Sequence, residues 1–420
     1  RSPVFMIDPK GDGASLCAMR RAHPDDAKGT GTSVRSFIGQ KVAVLDPLGQ
    51  ARGPSRVFRV SYNPLADIDM RVSGGVRAIR AVASSIITPE EGNGAHFSEN
   101  AETLVAGVIE AVKLREPAHQ QTLMQCRSLM IAGRNTLQDY LEPVDTPAGL
   151  AQEALGLIGA VGDNEWGSFH STLSRNLKWL ADPDMQAHLV PSAFSLRRAV
   201  QEGWSVFVAI PPEQVAEYRG WLRVIVRTML DAKIALGTNQ KGPRTLCLLD
   251  EFPTLGRFKI IEESAGYMAG YGVKLVPVIQ TIGQLQNLYG KNWETFCGNA
   301  GALITFGMNN LTSESYVSDR LGKTWVNEST SSVNSGSSSQ FMGGGSSMSM
   351  SSNTARHARP VRFPNDIRVE GARETMRAFV IPAGGRGFTI RRINYDEFPA
   401  GMFDSPDFIT AWERRHWQGR

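Results

Sequence analysis

The sequence predicts an α/β protein with a parallel, doubly wound sheet and an all-helical insertion. Three observations predict it. Short apolar runs end in turns near the start of the chain, at Val4–Ile7 before Asp8-Pro9-Lys10-Gly11-Asp12 and Val42–Leu45 before Asp46-Pro47. Similar runs return later, at residues 206–210 before Pro211-Pro212 and at Thr245–Leu249 before Asp250-Glu251. Between about 95 and 200 no such run is found, and apolar residues recur at helical spacing instead. Short apolar strands ended by Asp, Pro or Gly turns fit strands buried on both faces. Alternation with helices then puts functional groups on the loops after the strands.

The elements follow in order. Residues 57–60 make a third early strand candidate, followed by Tyr62-Asn63-Pro64-Leu65. Leu104, Val105, Val108, Ile109 and Val112 then define a helix, with Ser98 as its N-cap candidate and Pro117 as its stop. Leu123–Ile131 and residues 150–158 and 168–180 also have helical periodicity. After the strand at 206–210, residues 215–236 form a long amphipathic helix stopped by Gly237. Further strands are expected at 274–279, ending at Gln280, and at 303–306. Residues 329–352 contain 12 Ser, 4 Gly and no charge, and such a segment buries too little apolar surface to offset its ordering entropy. It is expected to be a flexible loop. Strand candidates at 375–381 and 388–393 flank Gly384-Gly385, and Trp412 and Trp417 belong to a closing helix.

Composition sets bounds on function. The chain has 420 residues, which at about 150 residues per domain suggests two or three domains. With 41% hydrophobic and 20% charged residues it has ample core, which excludes wholesale disorder, a fibrous rod and a small disulfide scaffold. Cys17, Cys126, Cys247 and Cys297 are far apart, with no zinc-ligand spacing, and fit reduced thiols in a cytoplasmic compartment. No apolar run approaches the roughly 18 residues of a membrane span. The net charge of +4 is too small to announce a nucleic-acid binder, but it is unevenly distributed. Residues 95–200 carry 8 basic and 12 acidic side chains, whereas 1–94 carry 13 and 9 and 355–420 carry 12 and 8. An acidic helical block within a neutral-to-basic remainder is expected to be an inserted module with its own surface. The first residue is Arg rather than Met and a strand begins by residue 4, so a longer protein is expected to precede it.

The chemistry is concentrated at Asp250-Glu251. An apolar strand running into two carboxylates has the form of a Walker B strand. Such a strand delivers Asp250 to a Mg²⁺ on nucleotide phosphates, and Glu251 orients a water for attack on the γ-phosphate. Gln280, at the tip of the next strand, is placed to sense phosphate and water, and Lys10 is placed at another strand tip to approach phosphate or a carboxylate. A phosphate-cradling loop G-x-x-x-x-G-K-[ST] is missing. The one GK[ST] tripeptide, Gly322-Lys323-Thr324, has Val317 where the first Gly belongs and follows a helical segment, so it is read as a decoy. The seven histidines are scattered and read as structural, and Trp166, Trp179 and Trp204 as core.

Taken together, LLDEFPTLG (248–256), GYGVKLVPVIQTIGQLQNLYG (270–290), Gly298-Asn299 and SDRLGK (318–323) resemble the VirD4/TraG family of type IV secretion coupling proteins. DPKGD (8–12), YNPL (62–65), HFSENAETL (96–104) and Arg359-Pro360 extend the resemblance over nearly the whole chain. It implies a RecA-like P-loop NTPase sheet domain with an inserted all-α domain: residues 1–94 and 201–420 for the sheet domain, 95–200 for the insertion. It further implies ATP and Mg²⁺ as cofactors, with Asp250 serving the metal, Glu251 activating water and Gln280 as sensor. The phosphate loop would precede residue 1, and membrane helices would lie further upstream, making this the cytoplasmic portion of an inner-membrane-anchored protein. Homo-hexamers, single-stranded DNA, a relaxase and inner-membrane components of the secretion system are the implied partners. The fragment alone is expected to be inactive. One departure is the lack of Arg in residues 264–271, where some relatives carry an arginine finger; Arg257 and Arg320 are the remaining candidates. Two other readings compete: a non-hydrolysing receptor or scaffold subunit, and an FtsK/HerA-type DNA translocase.

Overall fold

Five short apolar runs assemble into one parallel sheet: β1 (Val4–Ile7), β2 (Val42–Leu45), β3 (Ser205–Val208), β4 (Thr245–Leu249) and β5 (Val273–Pro277). Their order across the sheet is β2-β3-β1-β4-β5, every pairing parallel. All residues of β2 and β3 are buried, which explains why these strands are continuous apolar runs without alternation. The computed structural model describes residues 2–72, 74–90, 92–144, 149–238, 244–337 and 346–416. It divides into two compact units, one formed by Arg1–Ile279, Leu288–Phe296 and Tyr395–Arg420, the other by Gln280–Asn287 and Cys297–Asn394.

In the first unit, α1 (Asp12–Arg21) covers one sheet face, where Ala14, Ala18 and Met19 cluster with Val42, Val44 and Phe207. After β2 come α2 (Gly75–Ile86) and α3 (Ala95–Arg115). They are followed by α4 (Leu123–Ile131), α5 (Arg134–Leu141), α6 (Leu150–Ala160), α7 (Asp163–Asn176), α8 (Pro183–His188) and α9 (Leu196–Gln201). Among the described residues between 95 and 200 there is no strand. Ser98 lies inside α3 rather than at its cap. Its hydroxyl accepts from the Glu90 amide at 3.1 Å and donates to the Gly94 carbonyl, tying the preceding loop to the first turn. Gly107 lets α3 and α6 meet closely, since a Cβ there would stand 2.4 Å from that of Ala154. The long helix α10 (Arg219–Ala235) follows β3 and buries Trp221, Leu222, Ile225 and Met229. At its start Gly220 abuts the Trp179 indole and the backbone of Ile86, so α10 contacts both α2 and the helical stretch between 95 and 200. Of the three tryptophans expected in the core, Trp179 is 1% exposed, whereas Trp166 and Trp204 are only half-buried.

Residues 57–60 do not form a strand. A 3₁₀ helix spans Gly53–Phe58, and only Arg59 bridges β2, at Val44. Gly53 has φ +64° and Pro54 cannot donate a ladder hydrogen bond, so the backbone turns where the apolar pattern suggested extension. Short helices α11 (Lys259–Ser264), α12 (Ile282–Tyr289) and α13 (Glu294–Asn299) occupy the stretch around β5.

The second unit holds β6 (Ala302–Thr305), α14 (Leu311–Leu321), β7 (Lys323–Ser337), β8 (Ser346–Pro360), α15 (Pro364–Glu370), β9 (Arg377–Pro382) and β10 (Phe388–Arg391). The strand expected at 303–306 exists as β6, but it joins an antiparallel sheet, β10-β9-β6, instead of the parallel one. The core of that unit is Val317, Ile367, Phe379 and Ile381. The serine-rich segment expected as a flexible loop is paired: β7 and β8 form an antiparallel hairpin from Lys323↔Pro360 to Ser337↔Ser346. Cross-strand pairing satisfies backbone groups without burying side chains, the term that a composition argument leaves out. The tip, 338–345, lies outside the described residues, as does Trp417. The chain closes with α16 (Pro406–His416) in the first unit, where the Trp412 indole donates to the Thr30 carbonyl at 2.9 Å.

Candidate functional site

The carboxyl ends of β1 and β4 are neighbours in the sheet, and the turns after them carry the charged residues. After β1, Asp8 is 2% exposed, and its Oδ2 accepts the Ala14 amide at 2.8 Å at the start of α1. Gly11 makes this turn possible, because its φ is +67° and a Cβ would stand 2.6 Å from the Gln50 carbonyl oxygen. Burial pushes the Asp8 carboxyl up to about 6, against the backbone hydrogen bonds from Ala14 and Gly13, and the nearby charges of Asp12 and Asp250 push the same way. The same device is used after β2. There Asp46 is buried, accepts the Gln50 and Ala51 amides at 2.7 and 2.9 Å, and pairs with Arg59 at 3.3 Å.

After β4 the chain runs into Asp250 and Glu251. Partial burial raises the Asp250 carboxyl above its ordinary range; the Glu251 amide, donating to Oδ1 at 3.0 Å, opposes this, as does the charge of Lys10. Glu251 has φ +50°, one of only two non-glycine residues with positive φ among those described. A non-glycine residue in this region costs on the order of 1–3 kcal/mol, which surrounding structure must offset. The restraint is visible. The Glu251 carbonyl accepts the Thr254 amide and hydroxyl at 2.9 and 2.7 Å, and Arg219 donates to the Thr254 carbonyl at 2.8 Å. Phe252, fully buried, stacks on Tyr289 at 6.2 Å between ring centroids, with Phe296 against both. The loop is therefore fixed by α10 and an aromatic cluster.

The structure thus brings Lys10, Asp250 and Glu251 to one edge of the first unit and adds Asp8, to which the sequence reading gave no role. The signal for Asp8 was its place at a strand tip in the Asp-Pro-Lys-Gly-Asp run. Gln280 belongs to the second unit, where the Gln280 amide donates to Gln284 Oε1 at 2.8 Å just before α12. Arg257 pairs with Glu262 at 3.7 Å, and Arg320 lies over the Tyr316 ring at 5.9 Å. Gly322-Lys323-Thr324 closes α14 and opens β7, so it is not a strand–loop–helix phosphate cradle.

Two neighbouring carboxyls, both held above the ordinary range, suit a hard cation carried in on phosphates, which needs one or two protein carboxylates and completes its shell with phosphate and water oxygens. Among the described residues no group of three or more His, Cys, Asp or Glu could hold a metal alone. No helix among them is long and apolar enough to cross a membrane.

A parallel sheet with its charged turns at the carboxyl edge, wound by helices, defines a RecA-like P-loop NTPase fold. It is shared with the solved bacterial conjugative coupling protein TrwBdeltaN70, at a TM-score of 0.66 and 16% identity over 95% of this chain and 79% of that one. A structure of plasmid coupling protein TrwB in complex with ADP and Mg²⁺ matches at 0.66 over 93% of this chain and 78% of that one, again at 16% identity. The family described as type IV secretory system conjugative DNA transfer matches residues 26–374, and the chain belongs to it. The conjugal transfer protein TraG of Agrobacterium fabrum is 25% identical over 343 residues, 79% of this chain and 50% of that protein. The type IV secretion system-coupling protein VirD4 of Bartonella henselae is 22% identical over 246 residues, 56% of this chain and 38% of that protein. The chain spans about half the length of the TraG proteins it matches.

Proposed function

We propose that the chain is the motor portion of a conjugative coupling ATPase, which recruits a relaxase–DNA substrate to a type IV secretion system and drives DNA transfer by ATP hydrolysis. The observation that carries this reading is the convergence of Asp8, Lys10, Asp250 and Glu251 on one sheet edge, with Glu251 held in a strained backbone conformation. Family membership supports it, as do nucleotide and Mg²⁺ in the TrwB complexes.

In this reading Mg²⁺ supplies charge neutralisation on the phosphates when bound. Asp250 and Asp8 would hold it, and its charge would offset the burial that disfavours both carboxylates. Lys10 balances the charge of Asp250. Glu251 orients the attacking water and accepts its proton, and the fixed loop keeps that carboxylate in register. Gln280 is proposed as the phosphate sensor. The full protein is proposed as a homo-hexamer anchored at the inner membrane. Helices α3 to α9 are proposed as the module that recruits the relaxase. Single-stranded DNA and inner-membrane secretion components complete the partners.

The test is Glu251→Gln in the full-length protein. ATP binding should persist at unchanged affinity while turnover falls by at least about 10²-fold, the contribution expected of a general base. Turnover within a few-fold of the parent would defeat the assignment.

A further inference from the structure

The amino ends of the parallel strands, opposite the carboxylates described above, border an open cleft of about 820 Å³. Each strand contributes to its lining a residue that stands just before it. Lys41 precedes β2, Trp204 β3, Pro3 β1, Arg244 β4 and Gly272 β5, so the cleft runs across the whole sheet edge. At about 4.8 Å per strand step it is roughly 19 Å long, and Lys41 and Arg244 are roughly 14 Å apart along it.

The lining is cationic. Lys41, Lys233 and Arg244 face one carboxylate, Glu202, a balance of three positive charges to one negative. Lys41 is held in place: its Nζ lies 3.1 Å from Glu202 and 5.1 Å from the Trp204 ring centroid, and the Trp204 indole donates to the same Glu202 oxygen at 3.0 Å. Lys233 is only 5% exposed, and burial pulls its ammonium below the usual lysine range, a shift that an anion beside it would oppose. Gly203 has little against it and Gly270 nothing within 4 Å of where a Cβ would stand, which leaves the cleft wide beside the cations.

We infer that this cleft is a binding track for an extended phosphodiester strand, with Lys41 and Arg244 each contacting a separate phosphate. A single phosphate cannot reach both cations over such a span, whereas a strand with a phosphate at every nucleotide meets both. The inference rests on the proposed function only in taking nucleic acid as the polyanion.

The test measures binding of a fluorescent single strand of about twenty thymidines to the 420-residue chain by anisotropy, from about 50 to 200 mM salt. Lys41→Ala and Arg244→Ala should each weaken binding about ten-fold. Each should also flatten the slope of log K against log salt by about 0.7, and the two together by about 1.4. Binding of Lys41→Glu/Arg244→Glu within two-fold of the parent, with unchanged slope, would overturn the inference. If that double variant does not melt like the parent, the alanine variants decide. Sodium tripolyphosphate displacing the strand as well as unlabelled strand does at equal phosphate would show a compact polyphosphate occupant instead. Vesicles containing phosphatidylglycerol that outcompete the strand would show a membrane surface. Both outcomes refute the track. Loss of the Glu251 assignment would leave these binding results standing, and their failure would leave the hydrolysis test untouched.

Discussion

Asp8→Asn is expected to make the protein more stable and less able to use Mg²⁺. Asp8 is 2% exposed and its carboxyl is pushed from 3.8 to about 6, chiefly by burial. At neutral pH the folded protein therefore carries a carboxylate that is disfavoured by about 3 kcal/mol relative to the unfolded chain. The sign follows from proton binding. Between about pH 4 and 6 the folded state holds the proton more tightly than the unfolded state, so Asp8's contribution is most favourable below 3.8. It is lost as pH rises through about 6, and the cost is constant above that. Asn keeps an oxygen to accept the Ala14 amide, but it points an amide group toward Gly13, which now donates to the carboxylate. That mismatch costs about 1 kcal/mol. The net gain is about 2 kcal/mol at pH 7.5, or a rise of roughly 4 °C in melting temperature for a unit of this size. Tryptophan fluorescence during denaturation, repeated from pH 4 to 8, reads both effects, since Trp179 and Trp221 are buried in the same unit. The parent should lose stability between pH 4 and 6 relative to Asp8→Asn, and the variants should run parallel above pH 7. A variant less stable than the parent at pH 7.5, or parallel curves from pH 4 to 7, would refute the reasoning.

Two further substitutions test the frame around the site. Gly107→Ala forces a Cβ to 2.4 Å from Ala154 and 2.6 Å from the Leu150 carbonyl, and should destabilise the α3–α6 pair by about 2–3 kcal/mol, seen as a lowered melting temperature. Asp404 is fully buried and accepts from the Thr32 hydroxyl and the Ser33 amide and hydroxyl at 2.7 to 2.9 Å, so Asp404→Ala leaves several donors unpaired. It should cost about 3 kcal/mol and release the segment carrying α16, which limited proteolysis would detect as faster cleavage near residues 395–405.

What was legible depended on whether one-dimensional pattern determines the physics. Thr245–Leu249 running into two carboxylates is recognisable because burial on both faces demands an unbroken apolar run and the chain must turn where that run ends. The existence of β6 was equally plain, but not its partner. Four apolar residues fit either sheet, and only the tertiary position of β9 makes the pairing antiparallel. Residues 57–60 mimic a strand until Gly53-Pro54 turns the backbone. The hairpin of β7 and β8 escaped because serine content reports on side-chain burial, whereas the pairing is made by backbone groups common to every residue. Asp8 lies at a strand tip, where a carboxylate is ordinarily solvated; its burial comes from the turn folding back against Gln50 and the start of α1.

The amino-end cleft is the extreme case. Lys41, Trp204 and Arg244 are separated by more than 160 and by 40 positions in sequence, and each alone is an unremarkable polar or aromatic residue before an apolar run. Parallel strands make them neighbours, since every strand of such a sheet starts at the same edge. The residue just before each strand therefore joins a single row, just as the residue just after each strand joins the row that holds Asp8, Asp46 and Asp250. The two rows carry opposite charge: carboxylates follow three of the five strands, and Lys41 and Arg244 precede two of them. In the readings proposed above, a sheet so polarised would draw a cation to one edge and a polyanion to the other, about 13–17 Å away for strands of four or five residues. Salt should therefore weaken strand binding at the amino edge steeply, while the Mg²⁺ binding proposed at the carboxyl edge, on one buried and one partly buried carboxylate, should respond far less.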